Sequence, residues 1–153
     1  MDKVRVLFLC KGNPARGQIA EGFLHAEAGD RFVGVSAATS STALNPLATE
    51  VMQEVGIDIS SEHSKTIPEV FRERFSYVVG IFNEARERAP VFPFTYQLMQ
   101  WSLEDPVTLA GSREEQISAF RQIRDQINAN VHEFLKTASA EIAPASPALR
   151  VAR

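Results

Sequence analysis

The stretch from Val4 to Glu21 constrains this chain more than any other. Val4 to Leu9 is a short apolar run, the pattern of a strand buried on both faces of a parallel sheet. Gly12, Asn13 and Pro14 interrupt it. Ile19, Ala20, Phe23 and Leu24 then recur at helical spacing, and Pro14 suits the first turn of the helix they predict. Strand, tight loop and helix in that order aim free backbone N–H groups, and the positive end of a helix, at one spot: an anion site. Cys10 closes the strand and Arg16 lies just inside the helix, spaced C-x-x-x-x-x-R. A thiol beside a helix N-terminus and a guanidinium is expected to ionise easily, which makes it a nucleophile. The guanidinium fork can hold two oxygens of a tetrahedral oxyanion while the sulfur faces the central atom. The alternative is a buried cysteine acting as a small hydrophobe. The spacing alone arises by chance; its position between a strand and a helix favours the chemical reading.

The rest of the chain repeats strand and helix signals. Residues 31–37 read as a second strand, arriving after a helix, so the unit is βαβ and parallel. Asn45-Pro46 opens a helix with Leu47, Val51 and Val55 as its apolar face and Gly56 as its stop. Thr66-Ile67-Pro68-Glu69 is a capping box for a short helix to about Glu73. Tyr77 to Phe82 is a third buried strand, the charged run Asn83 to Arg88 a surface turn, and Tyr96 to Trp101 a fourth strand. Ser112 and Glu115 form a second capping box, opening the longest helix, whose apolar positions are Ile117, Phe120, Ile123, Ile127, Val131 and Phe134. Residues 137–153, rich in Ala, Ser and Pro, read as a mobile tail after a single domain of residues 1–136. The expected fold is a small open four-stranded parallel α/β sheet with helices on both faces. Ligands of such sheets bind beyond the carboxyl ends of the strands, where Cys10, Asn83 and Asp105 all fall.

Composition narrows the functions. The 153 residues suit one core. A lone cysteine excludes an internal disulfide and fits a reducing compartment, so a cytoplasmic location is expected. No apolar run is long enough to span a membrane or to act as a signal peptide. A net charge of -3 with no long basic run speaks against nucleic acid as a partner. His25, His63 and His132 show no spacing to one another or to acids that suggests a metal site, so neither metal nor cofactor is expected. Phe92, Phe94, Tyr96 and Trp101 suit core packing better than a pocket lining. Asp105, before Pro106, is either a general acid delivering a proton to a leaving oxygen or simply an Asp-Pro turn. Asn13 either bonds the backbone of its own loop or serves as a turn residue, and Lys11 adds positive field or is an exposed lysine.

Cys10-Lys11-Gly12-Asn13-Pro14-Ala15-Arg16 resembles the phosphate loop of the low-molecular-weight protein tyrosine phosphatases and of their relatives, the phosphatase-fold arsenate reductases. The resemblance covers about residues 3–136 and extends to Asn45-Pro46, Gly56 to Ser60, Ser64-Lys65, Pro90 to Pro93, Trp101 to Pro106 and Ala119 to Arg121, where it is closer to the reductase branch. It implies the phosphotyrosine protein phosphatase I-like fold, Cys10 as nucleophile, Arg16 as oxyanion clamp and Asp105 as general acid. It also implies an oxyanion loop of Lys11, Gly12, Asn13, Pro14, Ala15, Arg16 and Gly17. The branch's potassium ligands fall partly on Asn13, Glu21 and Ser36. Lys65 stands where a further acidic ligand is expected, and its ammonium is expected to supply that charge instead of a bound ion.

Two departures matter more. The further cysteines of the thioredoxin-coupled reductases are replaced by Phe82 and Ala89, so a reductase of this sequence needs an external thiol, such as a low-molecular-weight thiol with a glutaredoxin-like partner. The hydroxyl residue that usually follows the loop arginine is Gly17, which removes a hydrogen bond to the thiolate worth about 1.5–3 kcal/mol. The expected function is arsenate reduction with an external thiol. The alternatives are phosphomonoester hydrolysis through a cysteinyl-phosphate, or a non-catalytic anion-binding module on the same fold.

Overall fold

The computed structural model describes residues 3–10, 14–38, 45–82, 92–93, 96–106 and 111–142, with side chains described as far as residue 138. The elements run β1 (Val4–Cys10), α1 (Ala15–Ala28), β2 (Phe32–Ala38), α2 (Pro46–Gln53), β3 (Ser64–Thr66), α3 (Ile67–Val70), β4 (Tyr77–Phe82), β5 (Gln97–Ser102) and α4 (Arg113–Ile142). All strand pairs are parallel, in the order β3-β2-β1-β4-β5. β1 is central, with Cys10 registered against Ala38 of β2 on one side and Ile81 of β4 on the other. The chain lays β2 and β3 to one side of β1 and then crosses to the other for β4 and β5. The strand order therefore reverses beside β1, and the end of β1 is where such sheets bind ligands.

Two apolar clusters cover the two faces. Val6, Phe8 and Cys10 of β1 pack with Ile19 and Leu24 of α1, Met52 of α2 and Ile127, Val131 and Phe134 of α4. Leu7 and Leu9 pack on the opposite face with Val70, Phe75, Val78 and Phe92. This alternation along β1 is the two-residue period of a strand, and both phases are apolar because both faces are covered.

Among the described residues the sheet has five strands where four were expected. The extra strand is β3, whose Ser64, Lys65 and Thr66 have neither apolar alternation nor β-branched enrichment; it is extended because it pairs with Ser36, Ala37 and Ala38 at the edge of β2. Other boundaries shift for identifiable reasons. α2 buries Ala48, Val51 and Met52 and ends at Gln53, so Val55 falls beyond the helix and is exposed. Gly56 ends that segment in a left-handed turn (φ 79°), with its N–H donating to Gln53 O and that of Ile57 to Met52 O, the Schellman arrangement. α3 stops at Val70 rather than near Glu73. α4 continues past Thr137 to Ile142, because Ala138 extends the buried series Ile127, Val131, Phe134. Three caps form as expected: Asn45 accepts from Leu47 N at 2.8 Å, and the Thr66–Glu69 and Ser112–Glu115 boxes close.

Of the aromatic residues assigned to packing, Phe92 lies against Phe71 and Tyr96, and Trp101 against Phe8. Phe94, the charged run Asn83 to Arg88 and residues 143–153 lie outside the described residues. Among the described residues, no helix is long and apolar enough to cross a membrane.

Candidate active site

Cys10 is the last residue of β1, and α1 begins at Ala15, so the sulfur sits under the helix's first turn. The Gly17 N–H donates to Cys10 Sγ at 2.9 Å. Arg16 is wholly buried, and its Nη1 donates to the carbonyl of Leu103 at 2.7 Å. Leu103 follows β5, and two residues on Asp105 brings its Oδ2 to 3.9 Å from Arg16 Nη2. Asp105 is 5% exposed. Thus Cys10, Arg16 and Asp105, drawn from β1, α1 and the end of β5, converge at the carboxyl edge of the sheet. Pro14, Ala15 and Gly17 are buried beside them; Lys11, Gly12 and Asn13, which complete the loop, lie outside the described residues, as does Asn83.

The thiol departs from expectation. Burial pushes Cys10 up to about 11, although the Arg16 guanidinium and the Gly17 N–H pull it down; the Asp105 carboxylate adds to the rise. Desolvation of a thiolate at a fully buried position outweighs one guanidinium and one backbone donor. The absence of a side chain at residue 17 is also spatial. A Cβ there would lie 3.0 Å from Cys10 Sγ and 3.3 Å from Ser36 Cβ.

A second polar group lies behind α1, and spacing gave no sign of it. Glu21 on α1, His25 one turn on, and Glu62 from the segment before β3 bring one ligand atom each within 4.8 Å of one another. Burial raises the pKa of Glu21, which Glu62, the backbone and hydroxyl of Ser36, and His63 partly offset. Burial and the facing Glu21 also raise Glu62 well above the usual carboxylate range, with Asp58 adding to it. Burial and the Lys3 charge lower His25. Lys65, expected to bring its ammonium here, instead holds Glu73 Oε2 at 2.7 Å. The carboxyl group facing Glu21 is that of Glu62, and the two share a hydrogen bond, while Glu21 Oε1 and Glu62 Oε2 are buried without a partner among the described residues. These residues fit an oxygen-liganded cation better than an internal ammonium does.

Comparison with known proteins agrees with this geometry. The sequence model of the low molecular weight phosphotyrosine protein phosphatase family matches residues 5–143. An arsenate reductase of Halalkalibacterium halodurans is 34% identical over 90% of this chain and 99% of its own length. The structure of an arsenate reductase in its phosphate-binding state superposes with a TM-score of 0.74 at 28% identity, covering 88% of this chain and 98% of the other. A low molecular weight protein tyrosine phosphatase of T. tengcongensis, 20% identical and covering 88% and 99% of the two chains, superposes at 0.67, a likeness of fold alone.

Proposed function

The chain belongs to the low molecular weight phosphotyrosine protein phosphatase family, and on that premise we propose that it reduces arsenate through Cys10 with an external thiol as reductant. One observation carries the reading: a buried sulfur, a guanidinium and a carboxyl group from three separate elements meet at one edge, with Gly17 N–H on Sγ and Asp105 3.9 Å from Arg16. Each has a role in one displacement. The Cys10 sulfur attacks arsenic and forms the S–As bond. Arg16, with the loop from Lys11 to Gly17, binds the non-reacting oxygens. The proton released by the Cys10 thiol passes to the Asp105 carboxylate, which delivers it to the departing hydroxyl, so that the oxygen leaves as water. An external thiolate then attacks the Cys10 sulfur, so that an S–S bond forms and the S–As bond breaks. The electron pair of that bond goes to arsenic, which leaves as arsenite, and a second thiol reduces the mixed disulfide.

The external thiol follows from the lone cysteine, since Phe82 stands at the buried end of β4 where the thioredoxin-coupled branch resolves its adduct. A reducing compartment, the cytoplasm, would supply it. The same lone cysteine also favours a second reading, phosphomonoester hydrolysis, in which water resolves the adduct and no further thiol is needed.

The test is to give the purified protein arsenate with glutathione and glutaredoxin, or with another low-molecular-weight thiol system, and separately an aryl phosphate. Cys10→Ser and Arg16→Lys serve as controls. Arsenite release that depends on thiol and disappears in both variants supports reduction. Phosphate release without arsenite release, with the same dependence on Cys10, would replace it with the hydrolytic reading.

A further inference from the structure

The face of the sheet turned away from Cys10 carries a charged cleft that the chemistry of the sulfur does not use. Lys65 on β3 is the register partner of Ala37, so it shares a face with Leu7 and Leu9, whereas Cys10 packs in the opposite cluster. α3 and the turns after it cover the Lys65 face. Val70 points into the cluster there, and the N–H groups of Arg72 and Glu73 donate to the carbonyls of Glu69 and Val70, which continues the helical winding. Residues 68, 69, 72 and 73 therefore fall on one outer side of this segment. With Lys65 they line an open cleft of about 330 Å³. That volume lies at the lower end of the range for small-molecule sites.

The charges that line and brace the cleft decide what it suits. Glu73 accepts from Arg5 Nη2 through Oε1 and from Lys65 Nζ through Oε2, the latter at 2.7 Å. Glu69 Oε2 accepts from the Thr66 N–H at 2.6 Å and from the Thr66 hydroxyl at 2.9 Å. Both carboxylates are thus engaged within the fold. The Arg72 side chain makes no hydrogen bond or ion pair among the described residues, and Lys65 commits one N–H of its ammonium to Glu73. Arg5, Lys65 and Arg72 stand against Glu69 and Glu73, so one positive charge is left over, on the planar donor fork of Arg72. A cation here would face Lys65 and Arg72, and a neutral ligand would leave the charge of the fork unanswered. An oxyanion answers both, because a guanidinium holds two of its oxygens at once.

We propose that this cleft binds a small organic anion, held through its carboxylate or phosphate group by Arg72 and Lys65, with Pro68 against its stem. It is a second anion site, on the other face of the sheet from the Cys10 sulfur, and its occupancy does not depend on which reaction Cys10 performs. An anion spanning Arg72 and Lys65 ties the segment after α3 to the edge strand β3, which pairs with β2 over three residues only. Lys65 is 41% exposed and Arg72 is exposed, so salt screens the binding. The screening length falls from about 30 Å at 0.01 M salt to about 10 Å at 0.1 M.

The test is nitrogen-edited NMR of the whole chain, titrated with sodium succinate and separately with inorganic phosphate, at low ionic strength held constant with sodium chloride. Saturable shifts of the Lys65, Phe71 and Arg72 amides are expected with at least one probe. A response to succinate alone marks a carboxylate site, and a response to phosphate alone a phosphate site. Phosphate should also move the Gly17 amide, which reports the Cys10 loop in the same spectra. Arg72→Gln should raise the half-saturating concentration at the α3 amides about tenfold or more, and Lys65→Gln severalfold, while the Gly17 response stays as it was. Arg74→Gln removes the same charge outside the cleft and should shift that concentration less than about twofold. Shifts that stay linear with both probes, an unchanged half-saturation in Arg72→Gln, or equal losses in Arg72→Gln and Arg74→Gln would overturn the proposal. So would disappearance of the α3 shifts in Arg16→Lys, which would make them a secondary effect of anion binding at the Cys10 loop.

Discussion

Replacing Gly17 tests how the buried thiol is tuned. In the wild type, burial holds Cys10 at about 11, with one backbone donor on its sulfur. A serine at 17 would add a hydroxyl donor. A hydrogen bond to a charged group is worth about 1.5–3 kcal/mol, which is about one to two pH units of thiol acidity. The same substitution places a Cβ 3.0 Å from Sγ and 3.3 Å from Ser36 Cβ, closer than ordinary contact, so the sulfur must yield by a few tenths of an ångström. Gly17→Ala carries the same crowding without the hydroxyl, so the difference between the two variants isolates the hydrogen bond. The assay is the rate of Cys10 alkylation by iodoacetamide against pH, which follows the thiolate fraction. The folded pKa lies above the ordinary cysteine value, so the wild-type rate should keep climbing beyond pH 9. Gly17→Ser should reach half its plateau about one to two pH units below Gly17→Ala. Identical profiles for the two would show that no hydroxyl at this position reaches the sulfur, and that the missing side chain matters only for space.

Asp105→Asn should slow turnover of a poor leaving group such as phenyl phosphate by about 10²- to 10⁴-fold and an activated phenolate far less. Since the carboxylate raises the Cys10 pKa and stands 3.9 Å from Arg16, the variant should also be alkylated faster at fixed pH and be protected by lower phosphate concentrations; an equal loss on both substrates with unchanged alkylation would leave Asp105 as a turn residue only. Arg124→Met should cost about 1–3 kcal/mol, because the buried Arg124 Nη1 donates to Val51 O and to Glu54, joining α4 to α2. Arg113→Gln, which breaks an exposed pair with Glu50, should cost less than about 1 kcal/mol. Equal melting shifts in the two would refute the distinction.

The sequence was most legible where local chemistry and the fold agree. Asn45, Thr66 and Ser112 cap helices as their side chains require, and the apolar runs of β1 and β4 are strands because both faces of the sheet are covered. Cys10, Arg16 and Asp105 were legible because strand ends in a parallel sheet converge whatever lies between them in sequence. The misses are tertiary. β3 is a strand only through its neighbour, and no property of Ser-Lys-Thr announces it. The acidity of Cys10 was misjudged because motif spacing reveals the helix end and the guanidinium but not the depth at which they act. Glu62 left no trace, since its partner Glu21 is on a different element and the pair exists only once α1 lies on β2.

The place of Cys10 in the sheet also sets how the site can breathe. β1 is paired along both edges, whereas β5, which leads to Leu103 and Asp105, is paired on one edge and largely exposed. Local opening in such a sheet proceeds from the rim inward, so amides of β5 should exchange with solvent well before those of β1. Fraying at β5 withdraws the acid and the carbonyl that holds Arg16 while the sulfur stays fixed. On this reasoning the nucleophile belongs to the strand expected to exchange slowest, and the proton donor follows a strand at the sheet's edge. Entry of an anion and departure of a product then need only the rim to open, and the strand that carries the sulfur stays hydrogen-bonded throughout.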